Sequence, residues 1–388
     1  AISNEGKNDK DKYKSAQTAM DIVLGRGGDQ AVIRQNDIYK FFGGRAQEVE
    51  KRTKVKARVV AHALENLIKE SSKVMIMGHM NPDIDAMGSS IGVYRIAKSL
   101  DKNAYIITSD TPTLQSFKES LLAEEPEYED VLISKEVAEE NIDEDTLLVI
   151  VDTHKNTYVE SEEVVKKAKK IVVIDHHRRS ADYIEDATLT FQEVYASSAA
   201  ELVTELLQYT DVNVELKKIE SESLYAGIMM DTKSFTFKTG VRTFEAAAYL
   251  RRCGVDIIKV KKWFQSDLQS FNIIADIVKS AEIVNESIAI AIYDKEKAKD
   301  VSLICAKAAD ELLTINDVTA SFVLGNTGDK ICISGRSIGD INVQVILEKL
   351  GGGGHITLAG AQVEGMTMEE AKQELIIRIN EYFTEIEN

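Results

Sequence analysis

Metal-type side chains follow four short apolar stretches of this chain. They are His79, Asp83 and Asp85 after residues 74–77, Asp152 after residues 147–151, Asp175, His176 and His177 after residues 171–174, and Asp231 after residues 228–230. Short apolar runs bounded by polar residues predict buried parallel strands, and open α/β sheets bind ligands beyond the carboxyl ends of such strands. We therefore expect these side chains to converge on one cleft. Carboxylates and imidazoles together suit a pair of manganese-like divalent ions, which accept hard oxygen donors and some nitrogens.

The loop after the first stretch has a spacing that fits this chemistry. A helix is predicted to begin near Asp85, and Pro82 stiffens the turn that precedes it. Asp83 and Asp85 can then reach different ions, while Asp152 on the neighbouring strand is placed to bridge them. Two ions about 3.5 to 4 Å apart can hold a hydroxide nucleophile and neutralise a phosphoryl oxygen. The alternative for this loop alone is an ordinary turn in which Asp85 caps the helix.

The histidines are concentrated around these motifs. His62 alone, of the six histidines, lies elsewhere, on a predicted helix; the others are His79, His154, His176, His177 and His355. Adjacent residues after a strand point in different directions, so we predict that His176 binds metal and His177 contacts the phosphate. His154 and Asp175 are expected to orient the metal ligands through hydrogen bonds rather than to bind metal themselves.

The composition favours an intracellular enzyme with more than one domain. Its 388 residues exceed what one core usually supports. The three cysteines have unrelated spacings, which indicates neither a disulfide framework nor a zinc ribbon and favours a reducing compartment. No apolar stretch approaches the roughly 20 residues that cross a bilayer, and the polar start is unlike a signal peptide. We expect this chain to be soluble and cytoplasmic.

The apolar pattern divides the chain into five segments. These are residues 1–50 with a helix and a strand, a connecting helix at 51–70, strands alternating with helices at 71–255, a linker helix at 256–282, and a smaller α/β domain at 283–388. Strands that alternate with helices predict a parallel sheet covered by helices. The connecting helix is expected to bury one face, which carries Val55, Val59, Val60, Ala63, Leu64, Leu67 and Ile68.

These motifs together resemble the DHH phosphoesterase family. The resemblance lies in Asp175-His176-His177, in His79 with Asp83 and Asp85, in Asp152-Thr153-His154 and in Met230-Asp231-Thr232, and Gly351 to His355 resembles the signature of the DHH-associated (DHHA1) domain. It covers about residues 71–385 and implies an α/β fold, with a parallel-sheet DHH domain joined by the linker helix to a smaller α/β domain. It also implies a phosphodiester or phosphoanhydride hydrolase that uses two Mn²⁺ ions. His79, Asp83 and Asp152 would hold one ion, and the other would be held by Asp85, Asp152, His176 and Asp231.

The N-terminal segment resembles one particular type of protein within this family. Residues 16–34 resemble the end of a degenerate GGDEF domain, as found in the GdpP type of cyclic-di-AMP phosphodiesterase. Proteins of that type carry transmembrane helices and a PAS sensor domain upstream. The resemblance therefore implies that the chain is the catalytic portion of a protein anchored in the cell membrane, with this portion facing the cytoplasm. A homodimer is usual among such proteins and is expected here.

The second domain is predicted to bind the substrate. A glycine run lets backbone amides approach phosphate closely, and we expect Gly352, Gly353 and Gly354 to do so, with His355 donating to a phosphoryl oxygen. Arg336 adds a guanidinium fork that matches phosphate. The ordinary alternatives are a flexible turn for the glycines and a surface position for the arginine.

The predicted activity is hydrolysis of cyclic-di-AMP to 5′-pApA through a metal-bridging hydroxide, with His177 and Asp152 as catalytic residues. The alternatives are a hydrolase of short linear oligonucleotides such as pApA, and an inactive nucleotide-binding regulatory module. The complete ligand set argues against the inactive module, because unpaired buried charges are costly without metal. A net charge of −17 argues against binding long nucleic acid, which requires many neutralised phosphates.

Overall fold

The protein divides into two compact units. The computed structural model describes residues 1–3, 8–25, 30–35, 38–43, 54–265, 267–294, 300–328, 330–339 and 341–387. One unit comprises Ala1–Phe264 and the other Gln265–Asn388. Among the described residues, none of the helices combines the length and the apolarity that crossing a bilayer requires.

The first unit begins with a small three-stranded sheet. Its elements are β1 (Ile2–Ser3), α1 (Asp9–Gly25), β2 (Gln30–Gln35) and β3 (Ile38–Gly43). β2 lies between the other strands, parallel to β1 and antiparallel to β3. Ala19, Val23 and Val32 form its small core. The glycine-containing residues 26–29 of the predicted GGDEF remnant lie outside the described residues, so that assignment stays a prediction.

The larger part of the first unit is a parallel sheet flanked by helices. Its elements are α2 (Lys54–Lys69), β4 (Lys73–Met77), α3 (Ile84–Ser99), β5 (Asn103–Ile107), α4 (Gln115–Glu124), β6 (Leu132–Ile133), α5 (Lys135–Asn141), β7 (Leu147–Val151), α6 (Glu162–Lys167), β8 (Lys170–Asp175), β9 (Leu189–Gln192), α7 (Ala199–Leu207), α8 (Lys218–Asp231), α9 (Val241–Arg252) and α10 (Ile257–Trp263). The strand order is β6-β5-β4-β7-β8-β9, and every pairing is parallel. The predicted parallel α/β sheet is therefore confirmed.

The central strands are apolar throughout because the sheet is covered on both faces. In β4, Val74 and Ile76 pack into one core, while Met75 and Met77 pack into another on the opposite face. β7 alternates in the same way. Period-two alternation between two cores explains why the sequence shows continuous apolar runs here. The three central strands β4, β7 and β8 end side by side, and their carboxyl ends carry the predicted ligands.

Two predictions for the first unit were wrong. Residues 228–230 were predicted to form a strand, but they belong to the last turn of α8. Leu224 and Ile228 are both fully buried at the i,i+4 spacing of a helix, a period that a three-residue run is too short to reveal. In α2, Val55 and Val59 are exposed, and the buried face is instead formed by Ala57, Val60, Ala61, Leu64, Glu65 and Ile68.

The predicted single linker helix at 256–282 is two helices. α10 ends at Trp263, and α11 (Leu268–Lys279) begins the second unit. Asp267 ends the connection, because its side chain accepts a hydrogen bond from the backbone N–H of Ser270 at 2.9 Å and caps α11. An aspartate at an N-cap is a helix start signal that the sequence contains. The division between the two units falls in this connection.

The second unit is a smaller mixed α/β domain, as predicted. After α11 come β10 (Glu282–Val284), β11 (Ile288–Tyr293), α12 (Val301–Leu312), β12 (Ala320–Asn326), β13 (Ile331–Ser337), α13 (Val343–Glu348), β14 (Gly353–His355), β15 (Leu358–Val363) and α14 (Met368–Glu387). The strand order is β10-β11-β12-β13-β15-β14, with only the β11–β12 pair parallel. Separate cores lie on the two faces of this sheet.

Candidate metal centre

The loop between β4 and α3 brings the first predicted ligands together. Gly78 is required at its start, because a Cβ there would lie 2.7 Å from the Cβ of Ala86. Asn81 follows with a positive φ of 58°, which asparagine tolerates better than most residues. The helix is capped by Asp83, whose Oδ1 accepts from the N–H groups of Asp85 and Ala86 at 2.9 and 3.1 Å. The alternative that Asp85 is the cap is therefore wrong, and Asp83 retains Oδ2 for another partner.

His79 presents one nitrogen to two carboxylates. Its Nδ1 donates to the carbonyl of Met80 at 2.9 Å, which fixes the tautomer because a carbonyl can only accept. Its Nε2 lies 3.7 Å from Asp83 Oδ2 and 3.5 Å from Asp152 Oδ2. Burial opposes a charge on the imidazole, but Asp152 and Asp83 outweigh it and raise the pKa of His79 to about 12. A histidine whose second nitrogen is held by a carbonyl is typical of metal ligands.

Asp152 lies between the two histidines that were predicted to bind metal. Its Oδ2 faces His79, and its Oδ1 lies 3.3 Å from the Nε2 of His176. The residue follows β7 with a φ of 60°, a strained conformation for a residue other than glycine. Burial works against its ionisation, yet His176 and His79 hold the pKa of Asp152 well below its usual range. One carboxylate thus faces a different imidazole with each oxygen.

The buried polar atoms at this position fit a bound cation. Neither nitrogen of His176 nor Oδ1 of Asp152 has a hydrogen-bond partner within the described part of the chain. Buried polar atoms in folded proteins nearly always have partners. Divalent cations of the manganese type bind imidazole nitrogen and carboxylate oxygen, so the donor set suits such an ion.

Asp85 and Asp231 complete a second ligand group with His176. The Nε2 of His176 lies 3.1 Å from Asp231 Oδ2. Asp85 is fully buried, and its two oxygens accept from the N–H groups of Ala199 and Ala200 at 2.8 and 2.9 Å, at the start of α7. Helix N-termini stabilise anions, which favours a carboxylate there. Burial, with repulsion by neighbouring carboxylates, nevertheless raises the pKa of Asp85, and burial also raises that of Asp231.

The six predicted metal ligands form two groups small enough to hold metal, and Asp152 and His176 form a further such group with His177. One contains His79, Asp83 and Asp152, and the other contains Asp85, His176 and Asp231, with the potential ligand atoms in each group within 4.8 Å of one another. The two groups are adjacent, because Asp152 of the first also faces His176 of the second. The structure therefore brings all six predicted metal ligands to one end of the parallel sheet.

Asp175 supports two histidines and is not in either ligand group. Its Oδ2 accepts from His154 Nδ1 at 2.5 Å, and its Oδ1 accepts from His177 Nδ1 at 2.8 Å. The N–H of Ser180 donates to His154 Nε2, which leaves the proton of His154 on Nδ1. Despite complete burial, the two histidines hold the pKa of Asp175 well below its usual range. His154, Asp175 and His177 thus form one hydrogen-bonded network, and support of the metal ligands by His154 and Asp175 stays a prediction.

Gln192 belongs to this network and was not predicted. It is the last residue of β9, and its Nε2 donates to the carbonyl of His177 at 2.8 Å and to Asp175 Oδ2 at 3.4 Å. Arg179 Nε donates to its Oε1 at 2.9 Å and so fixes the orientation of the amide. A polar residue at the end of a parallel strand beside β8 was the available signal, but the strand itself was too short to recognise.

Arg336 lies in the second unit, and the alternative that it is an ordinary surface residue is wrong. It is buried, and its Nε donates to Asp310 Oδ1 on α12 at 3.0 Å. Its NH1 donates to the carbonyl of Gly335 at 2.9 Å. Arg336 pairs in register with Leu358, which pairs in turn with His355, so the three residues form one row across three strands. The side chain of His355 lies outside the described part of the structure.

The last two glycines of the run 351–354 belong to an edge strand, β14. β14 pairs antiparallel with β15 at the end of the sheet. A Cβ on Gly352 would lie 2.2 Å from the carbonyl oxygen of Gly360, and one on Gly354 would lie 2.4 Å from that of Leu358. Gly353 meets nothing within 4 Å. The close approach to β15 thus requires glycine at two of the three positions predicted to bind substrate.

The chain matches two protein families, one in each of its two units. Residues 73–228 match the DHH family, N-terminal domain, and residues 285–385 match the DHHA1 domain. The chain is 47% identical over 373 residues to the cyclic-di-AMP phosphodiesterase GdpP of Geobacillus thermodenitrificans, which covers 95% of this chain and 56% of that protein. It is 45% identical over 373 residues, with the same coverage, to the cyclic-di-AMP phosphodiesterase PdeA of Listeria monocytogenes. The chain thus spans a little over half the length of these curated relatives.

A solved structure shares the fold. The exopolyphosphatase-related protein from Bacteroides fragilis superimposes with a TM-score of 0.75 and 21% identity, covering 88% of this chain and 100% of that one. At this identity the likeness concerns the fold alone, with a parallel-sheet domain followed by a second mixed domain.

Proposed function

We propose that this chain, which belongs to the DHH family and carries a DHHA1 domain, is a metal-dependent phosphodiesterase that hydrolyses cyclic-di-AMP to 5′-pApA. Two relatives that are 47% and 45% identical over 95% of the chain are cyclic-di-AMP phosphodiesterases, which supports the substrate. Because the chain covers 56% of each relative, activity and substrate are proposed for this chain rather than taken over from them.

The position of Asp152 is the observation that carries this proposal. Each of its oxygens faces the imidazole of a different ligand group, which is the arrangement that a carboxylate bridging two cations requires. We infer two Mn²⁺ ions, one held by His79, Asp83 and Asp152 and one by Asp85, Asp152, His176 and Asp231. When bound, such ions neutralise phosphoryl oxygens and lower the pKa of the attacking water.

His177 is proposed to act on the reacting phosphate. Its Nδ1 is occupied by Asp175, so Nε2 is the nitrogen directed away from that carboxylate. The supporting bonds from His154 and Gln192 fix Asp175 in turn. In the imidazolium form, with a proton on Nε2 as well as on Nδ1, a histidine oriented in this way can donate a hydrogen bond to a phosphoryl oxygen or pass the Nε2 proton to the leaving oxygen.

The second unit is proposed to bind the substrate through Arg336, Gly352, Gly353, Gly354 and His355. The cross-strand row from Arg336 through Leu358 to His355 supports this, because residues in register lie on one face of a sheet. The Nε of Arg336 already donates to Asp310, so a phosphate would bind to the other N–H groups of the guanidinium.

The finer organisation of the chain is also proposed. We assign residues 71–255 to the DHH catalytic domain and 283–388 to the DHHA1 domain, which the matches at 73–228 and 285–385 support. Residues 1–50 as a GGDEF remnant, the homodimer, and membrane anchoring of a longer protein stay proposals that rest on the resemblance.

Product analysis tests the function directly. The purified chain with Mn²⁺ is incubated separately with cyclic-di-AMP, cyclic-di-GMP and pApA, with Asp152→Asn as the inactive control. We expect cyclic-di-AMP to be converted to pApA faster than the other two substrates are consumed. Rapid loss of pApA with an intact cyclic dinucleotide would instead indicate a hydrolase of short linear oligonucleotides. Binding of cyclic-di-AMP without any hydrolysis would indicate a regulatory module.

A further inference from the structure

Two large apolar side chains are exposed directly beside the metal ligands. Tyr158 is 42% exposed and Met80 is 46% exposed, whereas His79 between them in the fold is buried. Apolar residues beside a catalytic centre that keep part of their surface in solvent are candidates for contact with a ligand. Neither residue belongs to the ligand groups or to the network around Asp175.

The backbone holds Met80 and Tyr158 next to each other. The N–H of Met80 donates to the carbonyl of Tyr158 at 2.9 Å, and the N–H of Glu160 donates to the carbonyl of Gly78 at 3.1 Å. These bonds flank an isolated antiparallel bridge between His79 and Val159. Met80 and Tyr158 therefore lie on adjoining segments immediately beyond the end of β4.

Tyr158 is oriented by the imidazole of His79. The two ring centroids are 5.4 Å apart, and the ring planes differ by only 6°. Because His79 Nε2 faces the carboxylates of one ligand group, only the His79 imidazole separates the Tyr158 ring from that group. The phenol thus extends a flat aromatic surface from the ligand group towards solvent.

The turn that carries Tyr158 is anchored on both sides. Tyr158 ends a short 3-10 helix, Asn156–Tyr158. The backbone N–H of Thr157 donates to Asp182 Oδ2 at 3.2 Å, and the side-chain hydroxyl of Thr157 donates to the same oxygen. The N–H of Ile184 also donates to the carbonyl of His154 at 3.0 Å. A surface fixed in this way loses little conformational freedom when it binds a ligand.

We propose that Tyr158 and Met80 form a platform on which one purine base of the substrate stacks. The inference rests on the proposed function, which supplies a dinucleotide whose phosphate binds the metal centre. Aromatic side chains stack on the π face of any base, and the thioether of methionine adapts to flat rings. The platform therefore assigns a base contact to the DHH domain, separate from the phosphate contacts proposed for the DHHA1 domain.

The platform must be distinguished from a purely structural role in which Tyr158 only packs against His79. In that case removal of the ring would disturb His79 and weaken metal binding. A base contact would instead leave metal binding unchanged and weaken only ligands that contain a base. Adenosine 5′-monophosphate and ribose 5-phosphate separate the two cases, because they share the phosphate and the ribose and differ in the base.

The experiment measures binding of Mn²⁺ alone, and of each of these two ligands in the presence of Mn²⁺, by calorimetry on the whole chain. For Tyr158→Leu we expect the affinity for adenosine 5′-monophosphate to fall at least about fivefold, the lower end for a lost base stack. The affinities for ribose 5-phosphate and Mn²⁺ should not change. Tyr158→Phe should bind both ligands like the unmodified protein. Met80→Ala should lower the affinity for adenosine 5′-monophosphate by a smaller factor than Tyr158→Leu does. Tyr13→Leu on α1 and Met366→Ala are matched controls, because both residues are exposed and outside the site.

Three results would overturn the platform. One is equal binding of the two ligands by the unmodified protein, another is equal weakening of both by Tyr158→Leu, and the third is loss of Mn²⁺ from that variant. A different result would contradict the proposed function without contradicting the platform. A chain that binds adenosine 5′-monophosphate through Tyr158 but does not hydrolyse cyclic-di-AMP would retain the platform and lose the proposed reaction.

Discussion

The imidazole of His177 donates from Nδ1 to Asp175 Oδ1 at 2.8 Å, although a single residue separates the two in the chain. The residue between them, His176, has its ring centroid 4.3 Å from that of His177, and its Nε2 faces Asp152 and Asp231. His177 is hydrogen-bonded to Asp175, whereas His176 is not, although Asp152 Oδ1 lies within 3.7 Å of both imidazoles. This difference predicts that their substitution will have different consequences.

Replacement of His177 and of His176 should separate catalysis from metal binding. For His177→Ala we expect turnover to fall by roughly 10² to 10⁴, the range for a lost proton donor or electrostatic partner, with metal content nearly unchanged. His176→Ala should lose metal, because the nitrogen near Asp152 and Asp231 is removed. Metal analysis of the purified variants together with turnover of cyclic-di-AMP measures both effects.

His62→Ala is the matched control for turnover alone, since His62 lies on α2, outside both proposed metal groups but within a separate candidate group with Glu65 and Asp211. It should not alter turnover of cyclic-di-AMP. Equal loss of metal from the His176 and His177 variants would contradict this division of roles.

Asp152→Asn should abolish hydrolysis while the protein stays folded. Asparagine tolerates the positive φ of 60° and keeps the shape of the side chain, so the backbone strain does not increase. The substitution removes the charge that faces both His79 and His176 and should therefore weaken binding of both ions. Calorimetric titration with Mn²⁺ and thermal unfolding of the metal-free variant test the two halves of the prediction. Normal turnover with two equivalents of bound manganese would show that Asp152 does not bridge.

The sequence predicted the parallel sheet because β4, β7 and β8 are covered on both faces and leave continuous apolar runs. It predicted that candidate ligands follow β4, β7 and β8, which is where the structure has all of them except Asp231. It missed the helical setting of Asp231, because the strand-like run at 228–230 is the end of α8, and Asp231 is the last residue of that helix. A ligand can be recognised from its residue type even when the element that carries it is not.

The contacts that depend on tertiary geometry could not be read from the sequence. Gln192 and Asp175 are 17 positions apart, and nothing local to either residue indicates that they meet. The pair of Arg336 and Asp310 joins a strand to a helix in the same way. Asp267 differs from these, because its capping role is local and was overlooked.

Manganese binding should tighten as pH rises and should release protons. In the metal-free protein the pKa of His79 is raised from 6.5 to about 12, since Asp152 and Asp83 outweigh the effect of burial. The proton on Nε2 must leave before a cation can bind there. Calorimetry near neutral pH in two buffers of different ionisation enthalpy counts the released protons. An affinity that does not change with pH would contradict a protonated His79.

The same shift predicts how the stability of the metal-free protein depends on pH. Because the folded-state pKa of His79 lies above its unfolded value of 6.5, its contribution is fully present below that value. It is lost progressively as pH rises towards 12. Unfolding temperature measured across this window should fall more steeply for the unmodified protein than for His79→Gln, which carries no titrating group at this position.

Arg336 should affect substrate affinity more than metal content. Arg336→Met removes the guanidinium but keeps much of the buried side-chain volume, and we expect KM for cyclic-di-AMP to rise while bound manganese is unchanged. Asp310→Asn is the control, because it weakens the ion pair without removing the phosphate-binding group. If the arginine only stabilises the domain, both variants should lower the unfolding temperature and leave KM alone.

The substrate should be a compact dinucleotide rather than a long strand. Binding of long single strands depends on a basic groove that contacts many phosphates, whereas this chain has a net charge of −17. We therefore expect faster hydrolysis of cyclic-di-AMP than of long single-stranded DNA. We also expect KM to rise only modestly with salt, because few phosphates are engaged and few counterions are released. Turnover of both substrates measured over a series of salt concentrations tests this, with Asp152→Asn showing that any degradation belongs to the same site. Processive digestion of the long strand at a matching rate, or a steep dependence of KM on salt, would contradict the compact substrate.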